Sequence, residues 1–488
     1  MTHLPTTRSE DSRRWLILAL VSLAQLMVVL DVTVVNIALP SAQRALGFSD
    51  GDRQWIVTAY ALAFGGLLPL GGRLGDLLGR KRTLLIGLAG FSAISALAGM
   101  AQSFEWLVAT RALQGAFAAL IAPAALSALS TTFTEPADRG KAFGIYGAIV
   151  GSGAAVGLLL GGLLTEYLSW RWCLYVNLVL AVPALFGTIA LLNHDRVAPK
   201  AQLDLPGALT ASGGLFALVY GFSHAQSAGW SALTTVGFLA VGVALLTVFI
   251  SIQRRSQNPL MPLRVLADRN RASSYLAVLI AGSGVFGTFL FLTYYLQQTL
   301  GYSPVTNGLA FLPMIAAVML TSTSANSLLL ARLGPRPLIT AGMAAAAVGM
   351  ALLTRLGLHA AYALDILPAL LLIGAGIGLV MAPAMNTATA GIRPGDSGIA
   401  SALVNTSQQI GGSIGTALLN TLATSATASY LATHRTGQAL AAHATLHGYT
   451  VAFWTSAGVF ALGAILCGLL LGSRTTQPLA SAEPVLVH

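Results

Sequence analysis

The sequence predicts an all-α integral membrane protein with about fourteen transmembrane helices. Apolar runs of about twenty residues recur along its whole length, each long enough to cross a hydrocarbon core roughly 30 Å thick. Of 488 residues, 55% are hydrophobic and only 9% are charged, and the mean hydropathy is +0.76. That balance leaves too little polar surface to clothe a soluble fold of this size. The net charge of +10 comes mostly from Arg in short segments between the runs. This is the signature of a polytopic membrane protein and not of a nucleic-acid binder.

The expected spans are 15–38, 53–72, 83–101, 106–130, 141–164, 172–192, 206–222, 232–252, 272–296, 305–329, 338–357, 365–389, 397–420 and 449–471. Basic residues set the orientation. With the N-terminus inside, the cytoplasmic segments hold Arg13, Arg14, Arg73, Arg80, Lys81, Arg82, Arg139, Lys141, Arg254, Arg255 and others. The outer side keeps only Arg44, Arg53, Arg171, Arg355 and Arg435. An even number of spans then puts both termini on the cytoplasmic side of a cytoplasmic (inner) membrane. The N-terminal Arg residues precede the first run without a small-residue cleavage site, so that run reads as an anchor. Cys173 and Cys467 lie in apolar runs, and no disulfide is expected.

The first span ends in LDVTVVNIALP, residues 30–40. Asp31 is the only acid in its run, and a carboxylate at membrane depth costs a few kcal/mol, so it is expected to have a function or a partner. It lies about 24 Å along a helix from Trp15. Asn36 follows five residues on, and Pro40 is expected to end the helix. Residues 71–82, GGRLGDLLGRKR, form a tight basic turn with Gly72, Asp76, Gly79 and Arg80. Asp76 there can pair with a base or sit at a helix N-terminus. The result is a cytoplasmic latch, or merely a set of charges that fixes topology.

The fourth span carries Arg111, Gln114 and Gly115. Arg111 is the lone base within a span, either a fixed cation near a carboxylate or a side chain snorkelling to the interface. In the fifth span Gly153, Gly157 and Gly161 repeat every four residues, with Gly147, Gly151 and Gly162 alongside. Small residues at that spacing admit a neighbouring helix to backbone distance, and such a face can seal two bundles against leak.

A faint repeat relates the halves. ARLGPRPL at 331–338 echoes the loop at 71–82, Ala382-Pro383-Ala384 echoes Ala122-Pro123-Ala124, and Gly411, Gly412 and Gly415 echo the fifth span. The expected organisation is a six-helix bundle over 1–200, two inserted helices and a linker over 201–270, and a second six-helix bundle with a tail over 271–488. Paired bundles with a site at their interface are the usual build of a secondary transporter. Residues 421–448 read as a polar outer segment with His434, His443 and His447, and the tail after Arg474 as disordered. A metal on the His443/His447 pair is one reading of that segment, and a solvated loop is the other.

These motifs together resemble the major facilitator superfamily, and within it the fourteen-helix drug:proton antiporters of multidrug efflux type. Residues 30–40 are similar to that family's first-helix motif, 72–82 to the loop motif, 111–115 to the fourth-helix motif and 147–162 to the antiporter motif. Residues 295–304 and 405–415 add to the likeness. Two positions depart from it: Leu158 stands where the antiporter motif has Pro, and Leu77 where the loop motif has a base.

The resemblance implies proton-coupled export of hydrophobic small molecules by alternating access, with Asp31 as proton site and Arg111 as its modulator. The cavity is expected to be lined by Asn36, Gln114, Tyr294, Gln297 and Asn405. Asp31 would be its one negative charge, so the substrates expected are neutral or monocationic lipophilic compounds. The alternatives are a proton-coupled nutrient importer and a non-transporting membrane sensor or assembly protein. No nucleophile with a base and no phosphate loop is visible. An enzyme is therefore not expected, nor a cofactor, and the proton gradient is the expected driving force. The expected partners are substrate, protons and lipid; the residues name no membrane-fusion partner.

Overall fold

The computed structural model describes residues 7–48, 50–193, 204–256, 259–392, 396–434 and 440–472. Among them the chain is helical, and each expected span falls on a helix. The first half is α1 (Thr7–Leu46), α2 (Asp50–Leu78), α3 (Arg80–Gly99), α4 (Phe104–Thr132), α5 (Pro136–Tyr167) and α6 (Trp172–Leu191). Then come α7 (Leu205–Ala228) and α8 (Leu233–Arg255). The second half begins with α9 (Arg269–Tyr294), which passes into a π-helical turn at Tyr295–Thr299. Next is α10, built from Pro304–Ala310 and Leu312–Ser324 and closed by a π-helical turn at Ala325–Leu329 and a last turn at Leu330–Leu333. It ends with α11 (Pro335–Leu353), α12 (Leu367–Thr389), α13 (Ser397–Thr433) and α14 (Leu440–Leu470).

Twelve stretches among the described residues are long and apolar enough by themselves to cross a membrane. The other two long helices are α5, which contributes the shorter apolar stretch Val156–Tyr167, and α13, whose sequence is diluted by Ser, Thr, Asn and Gln. Both pack lengthwise on neighbours, α5 on α1 and α10, and α13 on α2 and α9.

Three boundaries differ from the sequence reading. α1 passes through position 40 and runs on to Leu46. Proline removes one backbone hydrogen bond, and the burial of Ala38, Leu39 and Ala42 keeps the following turns in place. α2 likewise continues to Leu78, so Asp76 is in a helix and the turn shrinks to Gly79 at φ 88°, a backbone angle that favours glycine. The outer segment is helical: α13 extends to Thr433 and α14 starts at Leu440. The ring of Tyr430 lies 3.9 Å from that of His434 and 5.3 Å from that of His447. No group of three metal-ligating side chains occurs among the described residues, and the tail after Arg474 lies outside them.

The two halves repeat one packing pattern. α1 packs on α4, α5 and α6, and α9 packs on α12, α13 and α14. α2 and α3 pack on α4, as α10 and α11 pack on α12. The halves meet where α5 lies along α10 and α2 along α13. α7 and α8 pair with each other, and α7 lies over both α2 and α13.

Candidate functional site

Four helices of the first half converge on Asp31. It is fully buried, and Arg111 of α4 is 1% exposed. Arg111 Nη1 donates to Asp31 Oδ2 at 2.5 Å and to Gln114 Oε1 at 2.9 Å. Gln114 Nε2 donates to Ser95 Oγ of α3 at 2.7 Å and to Asp31 Oδ1 at 3.4 Å. Asn177 Nδ2 of α6 donates to the same carboxylate oxygen at 2.7 Å. Arg111 Nε reaches the Ile56 carbonyl of α2 at 3.4 Å, and its Cζ lies 4.3 Å from the centre of the Tyr60 ring.

The two lone charges of the first half are thus one buried pair, which explains how each is tolerated at membrane depth. Arg111 does not snorkel. The spacing of Arg111 and Gln114, one turn apart on α4, puts both on one face. Chemically, this is a carboxylate whose protonation removes the charge that holds a guanidinium. Ser95, Asn177 and Tyr60 completed the cluster without notice in the sequence reading. Asn177 was findable, as an amide inside the apolar run WCLYVNLVL; Ser95 was not, because serine is ordinary in spans.

A second constellation lies where the halves touch, at the end with the basic loops. Asp76 Oδ1 accepts from the Gly398 backbone N–H in the first turn of α13 at 2.9 Å, where the helix dipole favours an anion. A Cβ on Gly72 would stand 2.7 Å from both Ala402 Cβ and the Gly398 carbonyl, so only glycine lets α2 approach α13 this closely. Arg80 Nη1 donates to Thr131 Oγ1 at the end of α4 at 2.6 Å. Ser127 and Ser397 hydroxyls are 2.8 Å apart across the halves. Arg139 of α5 donates to Asn386 Oδ1 at 2.7 Å and Thr389 Oγ1 at 2.8 Å, at the end of α12. The turn between α12 and α13 is therefore gripped by a cation on its incoming helix C-terminus and an anion on its outgoing N-terminus.

The family described as Major Facilitator Superfamily matches residues 21–416. The chain belongs to that superfamily. It is 54% identical to the puromycin resistance protein pur8 of Streptomyces alboniger, over 95% of this chain and 93% of that protein. It is 39% identical to the cephamycin export protein CmcT of Amycolatopsis lactamdurans, over 87% and 89%. It is 35% identical to the tetracenomycin C resistance and export protein of Streptomyces glaucescens, over 86% and 78%. The human organic anion transporter MFSD10 has the same fold, with a TM-score of 0.61, 18% identity and coverage of 93% of this chain and 99% of that one. A multi-pass membrane transporter related to antibiotic-resistance and export proteins is the identity these likenesses give.

Within this facilitator fold the glycines of α5 divide by partner. Gly153, Gly157 and Gly161 face α1 in the same half: a Cβ on Gly157 would stand 1.8 Å from Thr33 Oγ1, and one on Gly161 3.1 Å from Val34 Cα. The sequence reading allowed that face to seal two bundles against leak; its glycines pack on α1 inside one bundle. The contact between halves is made one helix end away, by Gly140, Gly144 and Gly147, where a Cβ on Gly147 would meet Ala382 Cβ of α12 at 2.9 Å. Gly162 only grazes Val305 of α10 at 3.9 Å, and the surroundings of Gly151 lie outside the described residues.

The expected cavity set also divides. Gln114 is enclosed with Asp31. Asn36 and Tyr294 are exposed, Gln297 is half-buried in the π-helical turn, and Asn405 is buried with its Nδ2 donating to the Ser401 carbonyl at 2.9 Å. Asp31 therefore lines no open surface in this conformation. A polar side chain on an apolar helix gives its depth, and the face it occupies depends on neighbours.

Proposed function

We propose that this protein is a proton-coupled antiporter that exports hydrophobic antibiotic-like molecules across the cytoplasmic membrane, with puromycin as the first candidate substrate. Both termini lie in the cytoplasm, and neutral and monocationic compounds are its preferred cargo. Drug export is supported by the 54% identity to a puromycin resistance protein. Proton coupling is carried by one observation: a protonatable carboxylate fully buried against a guanidinium at 2.5 Å.

A proton arriving on an Asp31 oxygen cancels the charge that holds Arg111. The guanidinium then keeps Gln114 Oε1, the Ile56 carbonyl and the Tyr60 face. Ser127, which meets Ser397 across the halves, is on the same helix as Arg111, sixteen residues or about 24 Å further along. A shift of α4 at Arg111 reaches the contact between halves along one continuous helix. In this reading the conformation described is closed toward the cytoplasm, held by Asp76, Ser127 and Arg139, and opens outward near Asn36 and Tyr294. Substrate and proton shift the population between this state and its inward-open counterpart.

The test uses inverted vesicles loaded with a pH-sensitive dye and energised to an acid interior. Added puromycin is expected to draw protons out in wild type and not in Asp31→Asn. Puromycin uptake with no proton movement would overturn the coupling.

A further inference from the structure

The inserted pair α7/α8 takes no part in either constellation above, yet it sits over the seam between the halves. Its ties to the two sides differ in kind. Toward α13 they are polar, one just before its first turn and one well along its length. Trp230, in the turn between α7 and α8, donates its indole N–H to Thr421 Oγ1 at 2.8 Å. At the basic-loop end Arg264 Nη2 pairs with Asp396 Oδ2 at 2.7 Å, immediately before α13. The segment carrying Arg264 is itself bound to the insert. Asp204 Oδ2 accepts from Gln253 Nε2 at 2.7 Å, and buried Gln253 accepts from the Met261 N–H at 2.9 Å. Apolar packing closes the same joint: Ala208, Phe249, Leu260 and Met261 form one cluster with Ile399 and Ala402 of α13, with Leu70 of α2 at its edge.

Toward α2 the insert lays small and apolar groups. A Cβ on Gly66 would stand 3.5 Å from Phe216 Cβ, and one on Gly65 3.6 Å from Val219 Cγ2. The Trp55 and Tyr220 rings lie 6.1 Å apart. Adjacent glycines present a smooth track, with no side-chain ridge for α7 to interlock with.

We infer that the inserted helices are fastened to the C-terminal half and that α2 slides across them during transport. They then cover the seam from lipid as α2 leaves α13. This rests on the alternating-access reading above, and the experiment separates the two. Gly66→Cys with Phe216→Cys places the two Cβ atoms within the range of a disulfide, about 3.5–4.5 Å. Trp230→Cys with Thr421→Cys is linked by a short bis-maleimide, each thiol adding to one maleimide double bond. The native Cys173 and Cys467 are buried.

The α2–α7 disulfide is expected to lower puromycin export at least tenfold, with recovery in dithiothreitol, while the link from the insert to α13 leaves export within twofold. Any other pattern overturns the inference. If the Gly66 pair is inactive even when reduced, Gly65→Cys with Val219→Cys replaces it. Spin labels on the same two pairs give a readout that needs no export. Between acidic and alkaline liposomes the α2–α7 distance is expected to change and the distance from insert to α13 to stay fixed. Two fixed distances, or the reverse, would sink the proposal. Absence of export by the wild-type protein would count against the transport reading alone.

Discussion

Replacing Asp31 with asparagine removes a charge and almost no volume at the centre of the first half. Arg111 remains 1% exposed, with the nearest oxygen it used now an amide. Removing one partner of a buried ion pair costs about 3–5 kcal/mol, because the other charge is left without compensation. At roughly 2 °C per kcal/mol for a large folded unit, Tm in detergent is expected to fall by about 6–10 °C. The Gln114 and Ile56 contacts, and a cation–π contact with Tyr60 of up to ~2 kcal/mol, are present before and after, so they do not soften the loss. The decisive variant is the double one. Asp31→Asn with Arg111→Gln removes both charges, so that neither is left buried without compensation. Its Tm is expected to return to near wild type, while proton-driven export stays lost in both. Thermal unfolding followed by size-exclusion chromatography measures the cycle. A double variant no more stable than Asp31→Asn would refute the claim that the two residues depend on each other for burial.

Further outcomes follow from the same geometry. Asn177→Leu deletes the 2.7 Å donor to Asp31; at about 1.5–3 kcal/mol for a hydrogen bond to a charged group, it is expected to lower Tm and export together, and an unchanged Tm would remove Asn177 from the cluster. Gly157→Ala drives its Cβ into Thr33 Oγ1, so export is expected to fall and to recover in part when Thr33→Ala is added; wild-type export by the single variant would show that α1 and α5 have room to part. Arg139→Gln loses the grip on Asn386 and Thr389 and is expected to reduce drug efflux at least tenfold with normal membrane insertion, as read by drug accumulation in cells. Rigid dications are expected to be exported poorly beside matched monocations. Glu105 and Glu166 are exposed at helix ends, Asp365 is capped onto the Ala361 N–H at 2.7 Å, and Asp31 is already paired. Equal proton-coupled export of a dicationic dye would point to an acid that reaches the cargo.

The helices were legible because a bilayer leaves the chain little choice. Twenty apolar residues with no water to satisfy the backbone must coil, and each expected span falls on a helix. The ends were less legible. Pro40 and the loop motif at 71–82 look like breakers, yet α1 passes through the first on the strength of tertiary packing and α2 runs on to Leu78 inside the second. Asp31 and Arg111 stood out as lone charges, each costly at membrane depth, and that cost is why they were found and why they meet.

Faces were the part the sequence withheld. In water an amphipathic stripe reveals which side of a helix is buried. In lipid both sides are apolar, and the stripe disappears. Glycine spacing on α5 signalled close approach and could not say to what. The three glycines at 153, 157 and 161 admit α1, whereas those at 140, 144 and 147 admit α10 and α12 of the other half. One helix thus carries glycines for an intrabundle seam and glycines for an interbundle seam on consecutive stretches, and only the second set sits on a contact that has to open in a rocking transporter. Bulk added at Gly157 therefore acts on the integrity of one half, while bulk at Gly147 acts on the equilibrium between states. The two separate by assay. Gly157→Leu is expected to lower Tm, and Gly147→Leu to leave Tm near wild type while biasing the protein away from the conformation closed at the basic-loop end. That bias reads out as faster thiol labelling of a cysteine placed at Ala382, beside the Gly147 contact. Equal loss of Tm in both variants would mean that the two stretches are a single seam.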